Sequence, residues 1–543
     1  MPAEYYSPGV YIEEIDSGAR PIQGVGTAVA AFVGFTEKAP DNRPHLVTNW
    51  TQFTNLFGGF LADSYLAYAV RGFFDNGGRQ CYVVSVSNTA AGSQDKPRAA
   101  IAAAAAVPAR LPALGTSLQV EALNPGSAGE GIQIEVAPAS GDGATEDQFK
   151  LIVRQPGGKE ETFDQLTLAR GRGARNVEQV VNRESTLIRV RVLVAESETA
   201  IDRLPTIGLH TLQPAQPQAA TLPARVDVGD IQGNAEARVG VLGLEAIDEI
   251  TMLCVPDLMS PRVLSGGGDG FTRIKTVQTA MLNHCESMKD RFAILDAPRG
   301  LNVQDIKEWR TTGAGFDSMY GALYYPWIKV ANQIPKAQRK NGDGDLIEIP
   351  PCGHVAGVYA RVDGTRGVHK APANETISGA VGLEYQVSKN EQDVLNPIGI
   401  NCIRAFPGRG IRIWGARTLS SDASWRYINV LRLFNFVEES IDQNTQWVVF
   451  EPNDLDLWQR VSRDISAFLD RVWRSGALFG ATAEEAYYVK CDRETNPPEV
   501  RDAGQLICEI GMAPVKPAEF VVFRFSQKAL EAWGLAPPGP PTR

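Results

Sequence analysis

The stretch NPIGINCIRAFPGRGIRIWGARTLSSDASWRYINVLRLFNFVEESI, residues 396–441, carries the most regular patterning in the chain. Within it, Gly410 to Leu419 reads as a short strand, with Ile411 and Ile413 on one face and a glycine at each side. Ser421-Asp422 then offers a helix N-cap. Beyond it Trp425, Ile428, Leu431, Phe434, Val437 and Ile441 recur at steps of three or four, the apolar stripe of an amphipathic helix. Trp447 to Asn453 reads as a strand closed by Pro452. Asn453 or Asp454 caps a second helix, whose stripe is Trp458, Val461, Ile465, Phe468, Leu469 and Val472, and Gly476 can end it in the left-handed conformation. The other face of that helix carries Arg460, Arg463, Asp464, Asp470, Arg471 and Arg474. Residues 396–480 therefore predict a well-packed α+β module with no cluster of catalytic type.

A chain of 543 residues is too long for one core, and two to four domains are expected. Hydrophobic content of 43% and charged content of 21% are ordinary for a globular protein. A net charge of −10 argues against a generic phosphate-binding surface, so no nucleic-acid partner is expected. No run of eighteen apolar residues predicts a transmembrane helix. The start, Met1 to Tyr5, lacks the basic and apolar regions of a signal peptide, which points to assembly in the cytoplasm and release by lysis or within a particle. Seven scattered cysteines, odd in number and without a CxxC, fit buried free thiols in a reducing compartment. Five dispersed histidines predict no zinc site, and no cofactor is expected.

Ahead of the opening stretch, Tyr5 to Ile15 holds a Pro8-Gly9 turn and a strand with Val10, Ile12 and Ile15 as apolar positions. So short a terminal strand needs a partner, in its own body or in another chain. Thr27 to Phe35 reads as a buried strand, Trp50 to Phe57 and Ser64 to Phe74 as helices, and Cys81 to Val86 as a strand. Residues 90–110 are Ala-rich and proline-broken, a short helix and linker. Residues 116–240 become β-rich, with strands at Leu118 to Ala122, Ile132 to Val136, Phe149 to Val153 and Leu187 to Val194. Residues 196–240, rich in Pro, Gln and Ala, read as irregular and exposed. From 246 to 410 strand and helix alternate: Ile250 to Val255, Phe271 to Lys289, Arg291 to Leu295, Val303 to Thr311, Gly321 to Tyr325. That spacing implies a mostly parallel sheet.

The wording of these segments is specific. The opening stretch, then FEPNDLDLWQRV (450–461), SGALFGATAEEAYYVKCD (475–492) and APVKPAEFVVFRF (513–525), resembles the C-terminal domain of contractile tail sheath proteins. Such proteins occur in contractile phages, phage-tail-like bacteriocins and extracellular contractile injection systems. GVGTAVAAFVGFTEKAP (24–40), FFDNGGRQCYVVSV (73–86) and PPCGHVAGVYARVDGTRGVHKAPAN (350–374) resemble the same family upstream.

The resemblance implies an α/β and α+β multidomain fold. Its parts are an N-terminal arm (1–20), the N-terminal part of the sheath core (21–100), an inserted β-rich outer domain (101–245), a subtilisin-like α/β domain (246–410), a C-terminal α+β domain (411–526) and a tail (527–543). It implies a structural subunit, not an enzyme, that polymerises helically with itself around an inner tube protein. Baseplate and tail-terminator or cap proteins are the further partners implied, with no transmembrane segment. Contraction of the sleeve would drive the tube through a target envelope. The arms implied to reach neighbouring subunits are Pro8, Gly9, Val10, Tyr11, Ile12 and Ile15 at the start, and Phe520, Val521, Val522, Phe523 and Phe525 near the end. They would add strands to a neighbour's sheet. Arg460, Arg463, Arg471 and Arg474 are the candidate contact for the tube, since charged contacts suit a reversible interface.

Two enzyme readings compete. RFAILDAP (291–298) resembles the Asp-bearing strand of subtilisin-type proteases, and CGHVAGVYA (352–360) their His helix. The third part, a serine at a helix start beside an oxyanion donor, is missing. The single Gly-Thr-Ser, residues 115–117, precedes Asp296 and opens a strand, and Ser378, Ser388 and Ser420 lack the motif. No phosphate-binding Gly-x-x-x-x-Gly-Lys-Ser/Thr exists, so contraction must run on energy stored in the assembly. A static filament or shell protein is the remaining alternative.

Overall fold

Continuous apolar runs mark the central strands. Val29–Gly34, Phe292–Asp296 and Gly321–Tyr325 are buried at every residue, which requires cover on both faces of their sheet. The computed structural model describes residues 21–38, 42–86, 109–113, 115–122, 132–140, 144–145, 147–154, 160–169, 175–192, 205, 207–211, 226–265, 269–336, 339 and 344–524.

The three strands belong to a nine-stranded sheet. Its order is Glu375–Thr376, Gly410–Ile413, Ile400–Phe406, Gly321–Tyr325, Phe292–Asp296, Met252–Cys254, Val29–Gly34, Gln80–Ser85 and Pro44–Val47. From Ile400–Phe406 to Gln80–Ser85 every pairing is parallel, and antiparallel pairs close both edges. The parallel sheet expected for 246–410 is therefore present, and the N-terminal strands share it. After Gln80–Ser85 the chain leaves this sheet and returns at Met252–Cys254, on the far side of Val29–Gly34.

Two helices flanking the sheet, Leu66–Asp75 and Cys352–Arg366, meet backbone to backbone. A Cβ on Gly353 would lie 2.4 Å from Ala69 Cα, and one on Gly357 2.5 Å from the Phe73 carbonyl oxygen. Asp257, fully buried, accepts from the Phe35 amide at 2.6 Å, from Ser64 Oγ at 2.9 Å and from the Tyr65 amide, which pins the start of the first of these helices to the strand ends.

Residues 109–211 build two small antiparallel sheets over a core of their own that includes Leu118, Ile134, Leu151, Leu166, Val181 and Ile188. Four of their strands follow the predicted runs. Ala109–Ala113, Glu160–Leu166, Gly208–Thr211 and the helix Val177–Glu184 do not. Glu160–Leu166 is EETFDQL, with only Phe163 and Leu166 apolar, too sparse a pattern to read as a strand. The irregular, exposed reading of 196–240 is corrected over 226–240: Asp227 and Asp230 form a capping box on the helix Val228–Gln232, and Val226 and Ile231 are buried in the main core. The Ala-rich segment up to residue 108 lies outside the described residues.

The C-terminal helices Ile428–Thr445 and Leu455–Arg474 and the hairpin Tyr487–Lys490/Glu509–Met512 enclose a third core with Val437, Trp458, Val461, Phe468 and Leu469. Here the opening reading needs three corrections. First, 396–480 is not one module: the hairpin Ile400–Phe406/Gly410–Ile413 completes the main sheet, so the expected boundary at 410/411 cuts a strand pair. Second, the first helix starts after Tyr427, because Ser421 is engaged elsewhere, its amide and hydroxyl donating to Asp317 at 2.8 and 2.6 Å. Third, Trp447 to Asn453 is not a strand. Trp447 and Val448 reach the third core from a helical turn, Gln446–Val448, and Phe450 sits at φ 68° fully in solvent. An apolar run makes a strand only where a neighbouring strand can pair with it.

Candidate assembly surfaces

Residues 22–25 are strapped to the two C-terminal helices. The Gln23 amide donates to Asn444 Oδ1 at 3.2 Å, the Val25 amide to Ser440 Oγ at 3.1 Å, and Arg471 to the Ile22 carbonyl. Ile22, 1% exposed, is part of the third core. The N-terminal arm residues Pro8, Gly9, Val10, Tyr11, Ile12 and Ile15 lie outside the described residues, as does Phe525.

The root of the C-terminal segment is a clamp around Glu519. Its carboxylate accepts from Arg417 Nε at 3.0 Å and Nη2 at 2.7 Å, from Asn396 Nδ2 at 2.6 Å and from Tyr427 Oη at 3.0 Å. Burial alone would raise the Glu519 carboxyl; the hydrogen bonds from Arg417 and Asn396 outweigh it and hold the group below its ordinary value. Just past this clamp, Phe520, Val521, Val522 and Phe523 are 74%, 68%, 75% and 77% exposed and form neither helix nor strand in the single chain. Four consecutive large apolar residues in solvent, behind a fixed anchor, form a surface that burial elsewhere would strongly favour. None of the Glu519 partners was legible in the sequence, because they lie 92–123 residues upstream.

Asn429 Nδ2 donates to the Val515 carbonyl at 3.0 Å, and Asn444 Nδ2 to Gln23 O at 3.0 Å. The two roots thus touch opposite ends of one helix, about 22 Å apart at ~1.5 Å per residue. Nearby, Tyr487–Lys490 and Glu509–Met512 form a sheet of only two strands among the described residues, which leaves strand edges open to further pairing.

The four candidate arginines fall on one stripe of Leu455–Arg474 but have partners in their own chain. Arg460 faces Glu451 at 3.6 Å and lies over the Trp447 ring, Arg463 meets Asp464 at 3.3 Å, and Arg474 meets Asp470 at 2.8 Å. Arg471 serves the N-terminal strap. The Arg460–Glu451 and Arg474–Asp470 pairs are partly solvent-exposed and weak, and so free to exchange partners, whereas Arg463 pairs with an Asp464 that is only 7% exposed.

The protease residues do not assemble. Asp296 accepts from the Cys352 amide at 2.9 Å, while the His354 ring packs against Gly72 with Nδ1 buried and unpaired. Burial pushes Asp296 up to about 7 and His354 down to about 4, with no bond between them. Ser378 bonds through its backbone to Asn76, Ser388 caps Lys389–Leu395, and Ser420 Oγ accepts from the Asp422 amide. Gly115, Thr116 and Ser117 sit in the strand Gly115–Ala122. Among the described residues no helix is long and apolar enough to cross a membrane.

Residues 267–419 match the family described as phage tail sheath protein central domain, and residues 420–528 match the phage tail sheath C-terminal domain. The tail sheath protein of Vibrio phage KVP40 is 24% identical over 326 residues, covering 56% of this chain and 46% of its own. That of Escherichia phage P2 is 26% identical over 306 residues, 55% of this chain and 70% of its own. The chain thus spans about half the length of the KVP40 protein. Among solved structures, the sheath complex of an extracellular contractile injection system (PVC) in its contracted state superposes with a TM-score of 0.55 at 25% identity, over 98% of this chain and 99% of that one. A chain of the anti-feeding prophage baseplate gives 0.54 at 25% identity, over 97% and 100%. Both domain matches fall in order over residues 267–528, and the whole chain is similar in fold to the subunits of contractile sheath assemblies.

Proposed function

We propose that this chain is the repeating subunit of a contractile sheath: it polymerises helically around an inner tube, and the sleeve shortens and widens to drive the tube through a target envelope. The observation that carries the reading is the Glu519-anchored run Phe520–Phe523, exposed in a chain whose C-terminal hairpin has only two strands among the described residues. In the polymer this run, with Phe525, pairs with a neighbour's hairpin, and the arm Pro8–Ile15 of another copy adds a further strand. Roots at opposite ends of one helix let each subunit hold two neighbours while its body rotates.

On the same reading the nine-stranded body is the subtilisin-like core, without its chemistry. The segment 101–245 is an inserted outer domain, supported by its separate core between two strands of the main sheet. Arg460, Arg463 and Arg474 trade intrachain acids for the tube, while Arg471 stays with the strap. Baseplate and cap proteins close the two ends, and assembly takes place in the bacterial cytoplasm.

Electron microscopy of particles from the producing strain, before and after mild denaturant, tests this. Sleeves of two lengths, the shorter being wider, are expected. Sleeves of one length under every condition would make it a static shell. Monodisperse chains that label with a serine-directed fluorophosphonate would restore the hydrolase reading.

A further inference from the structure

All seven cysteines are free thiols. Five of them, Cys81, Cys254, Cys285, Cys352 and Cys402, are 0% exposed inside the main core. The other two, Cys491 and Cys508, lie at the loop end of the C-terminal hairpin, where the connecting segment leaves the strands. Its strands pair Tyr487 with Met512, Tyr488 with Gly511, Val489 with Ile510 and Lys490 with Glu509. Carried one residue further, the same register sets Cys491 opposite Cys508, and both pack in the third core.

The backbone says which kind of rung this is. The Ala513 amide donates to the Ala486 carbonyl at 2.8 Å, so Ala486 and Ala513 are a hydrogen-bonded pair. Alternation along an antiparallel ladder then makes Cys491/Cys508 a non-hydrogen-bonded pair, with Cα atoms about 4.5 Å apart and side chains on the same face. A disulfide needs roughly 4.4–6.8 Å between Cα atoms. One side chain braces the rung from behind. Asn496 Nδ2 donates toward Cys491 Sγ at 3.9 Å and to the Ile507 carbonyl at 2.9 Å, and its Oδ1 accepts from the Ile507 amide at 2.7 Å. The thiols also sense each other: a hydrogen bond from Cys508 draws the Cys491 thiol below its ordinary value, and the same contact pushes Cys508 up. In the main core, by contrast, burial raises the Cys81 and Cys285 thiols and leaves no accessible thiolate.

We propose that Cys491 and Cys508 are a site of oxidative modification, closing to an intrachain disulfide by exchange with a low-molecular-weight disulfide such as oxidised glutathione. The pair gives up one proton, and the resulting thiolate attacks one sulfur of the external disulfide, expelling one small thiolate. The remaining cysteine loses its proton, attacks the protein sulfur of the mixed disulfide and expels the second. Two protein thiols are oxidised, one external disulfide is reduced to two thiols, and atoms and electrons balance. The new bond ties off the connecting segment 492–507 at the base of the hairpin's loop, and Cys508, half-buried, gives the reagent access. The site depends on the hairpin register alone and stands apart from the contractile reading.

The test is to incubate the purified full-length chain with oxidised glutathione, alkylate under denaturing conditions, and read intact mass and non-reduced peptides. The expected result is five alkylated cysteines of the seven, a loss of two hydrogen atoms, and one intrachain peptide pair joining Cys491 to Cys508 that dithiothreitol reverses. Cys508→Ser should abolish the link. Seven alkylated cysteines after prolonged exposure, glutathione adducts without closure, linkage between chains, or an intrachain link that survives Cys508→Ser would each overturn the proposal.

Discussion

Removing the carboxylate of Asp363 should unlock the contact that joins the two ends of this chain to its middle. Arg432, on the first C-terminal helix, donates to Asp363 through Nη1 at 2.9 Å and Nη2 at 2.6 Å, and both side chains are 4% exposed. Thr27 completes the knot: its hydroxyl donates to Asp363 at 2.7 Å and its carbonyl accepts from Arg432 at 2.9 Å. The guanidinium lies 4.9 Å from the Tyr359 ring centroid. In Asp363→Ala the arginine stays buried with one carbonyl and one ring for company. Leaving such a charge uncompensated costs about 3–5 kcal/mol. Replacing both groups, Asp363→Leu with Arg432→Met, removes the buried charge as well as its partner, and should recover most of that loss. Guanidinium unfolding followed by tryptophan fluorescence reads this out, since Trp458 and Trp473 report on the third core. A chain of several domains need not unfold in one step, so the shift is read on the earliest transition. The reasoning fails if Asp363→Ala costs less than about 1 kcal/mol, or if the double variant is as unstable as the single one.

Three further outcomes follow from the same geometry. Gly357→Ala should destabilise by about 1–3 kcal/mol or more, because its Cβ would meet the Phe73 carbonyl of the neighbouring helix; an unchanged thermal midpoint would refute that close approach. Burial raises Asp296 from 3.8 to about 7, so the folded chain holds a proton that the unfolded chain releases, and this group's contribution to stability falls as pH climbs from about 4 to 7. Asp296→Asn lacks that slope and should match the parent near pH 4 but exceed it near pH 8, by up to about 4 kcal/mol; parallel melting curves would contradict the assignment. Val521→Asp, at a position 68% exposed, should leave the monomer's melting temperature unchanged while abolishing sleeves in electron micrographs; normal sleeves would dismiss the C-terminal arm.

Much of the fold was legible locally. The strand Gly321–Tyr325 falls where its apolar run predicted, and Trp50–Phe57 is helical over the predicted residues. Both signals live within a few residues, a continuous apolar run or a short helix-forming window, and the structure adds an Asn49 cap ahead of the helix. The same logic failed at Trp447 to Asn453, where apolarity signalled burial but could not say whether another strand stood alongside. The candidate surfaces divide in the same way. The arginine stripe was readable from helical spacing and the Phe520–Phe523 run was singled out through the family resemblance, while the exposure of that run emerged only from the structure. The Glu519 clamp, the strap at Ile22 and the Cys491/Cys508 rung were not, since each joins residues that are neighbours only after folding.

By itself, then, the sequence determined the family resemblance, the alternation of strand and helix, the apolar faces and the lack of a subtilisin-type serine motif, because these depend on residue type, local spacing and order along the chain. The tertiary structure alone decided that residues 29–85 and 252–413 share one sheet, that Gln23 and Val515 bond to opposite ends of one helix, and that Asp296 bonds to the Cys352 amide while His354 Nδ1 has no partner. Those facts rest on strand order, register and buried hydrogen bonds between segments up to hundreds of residues apart, and no local pattern encodes them.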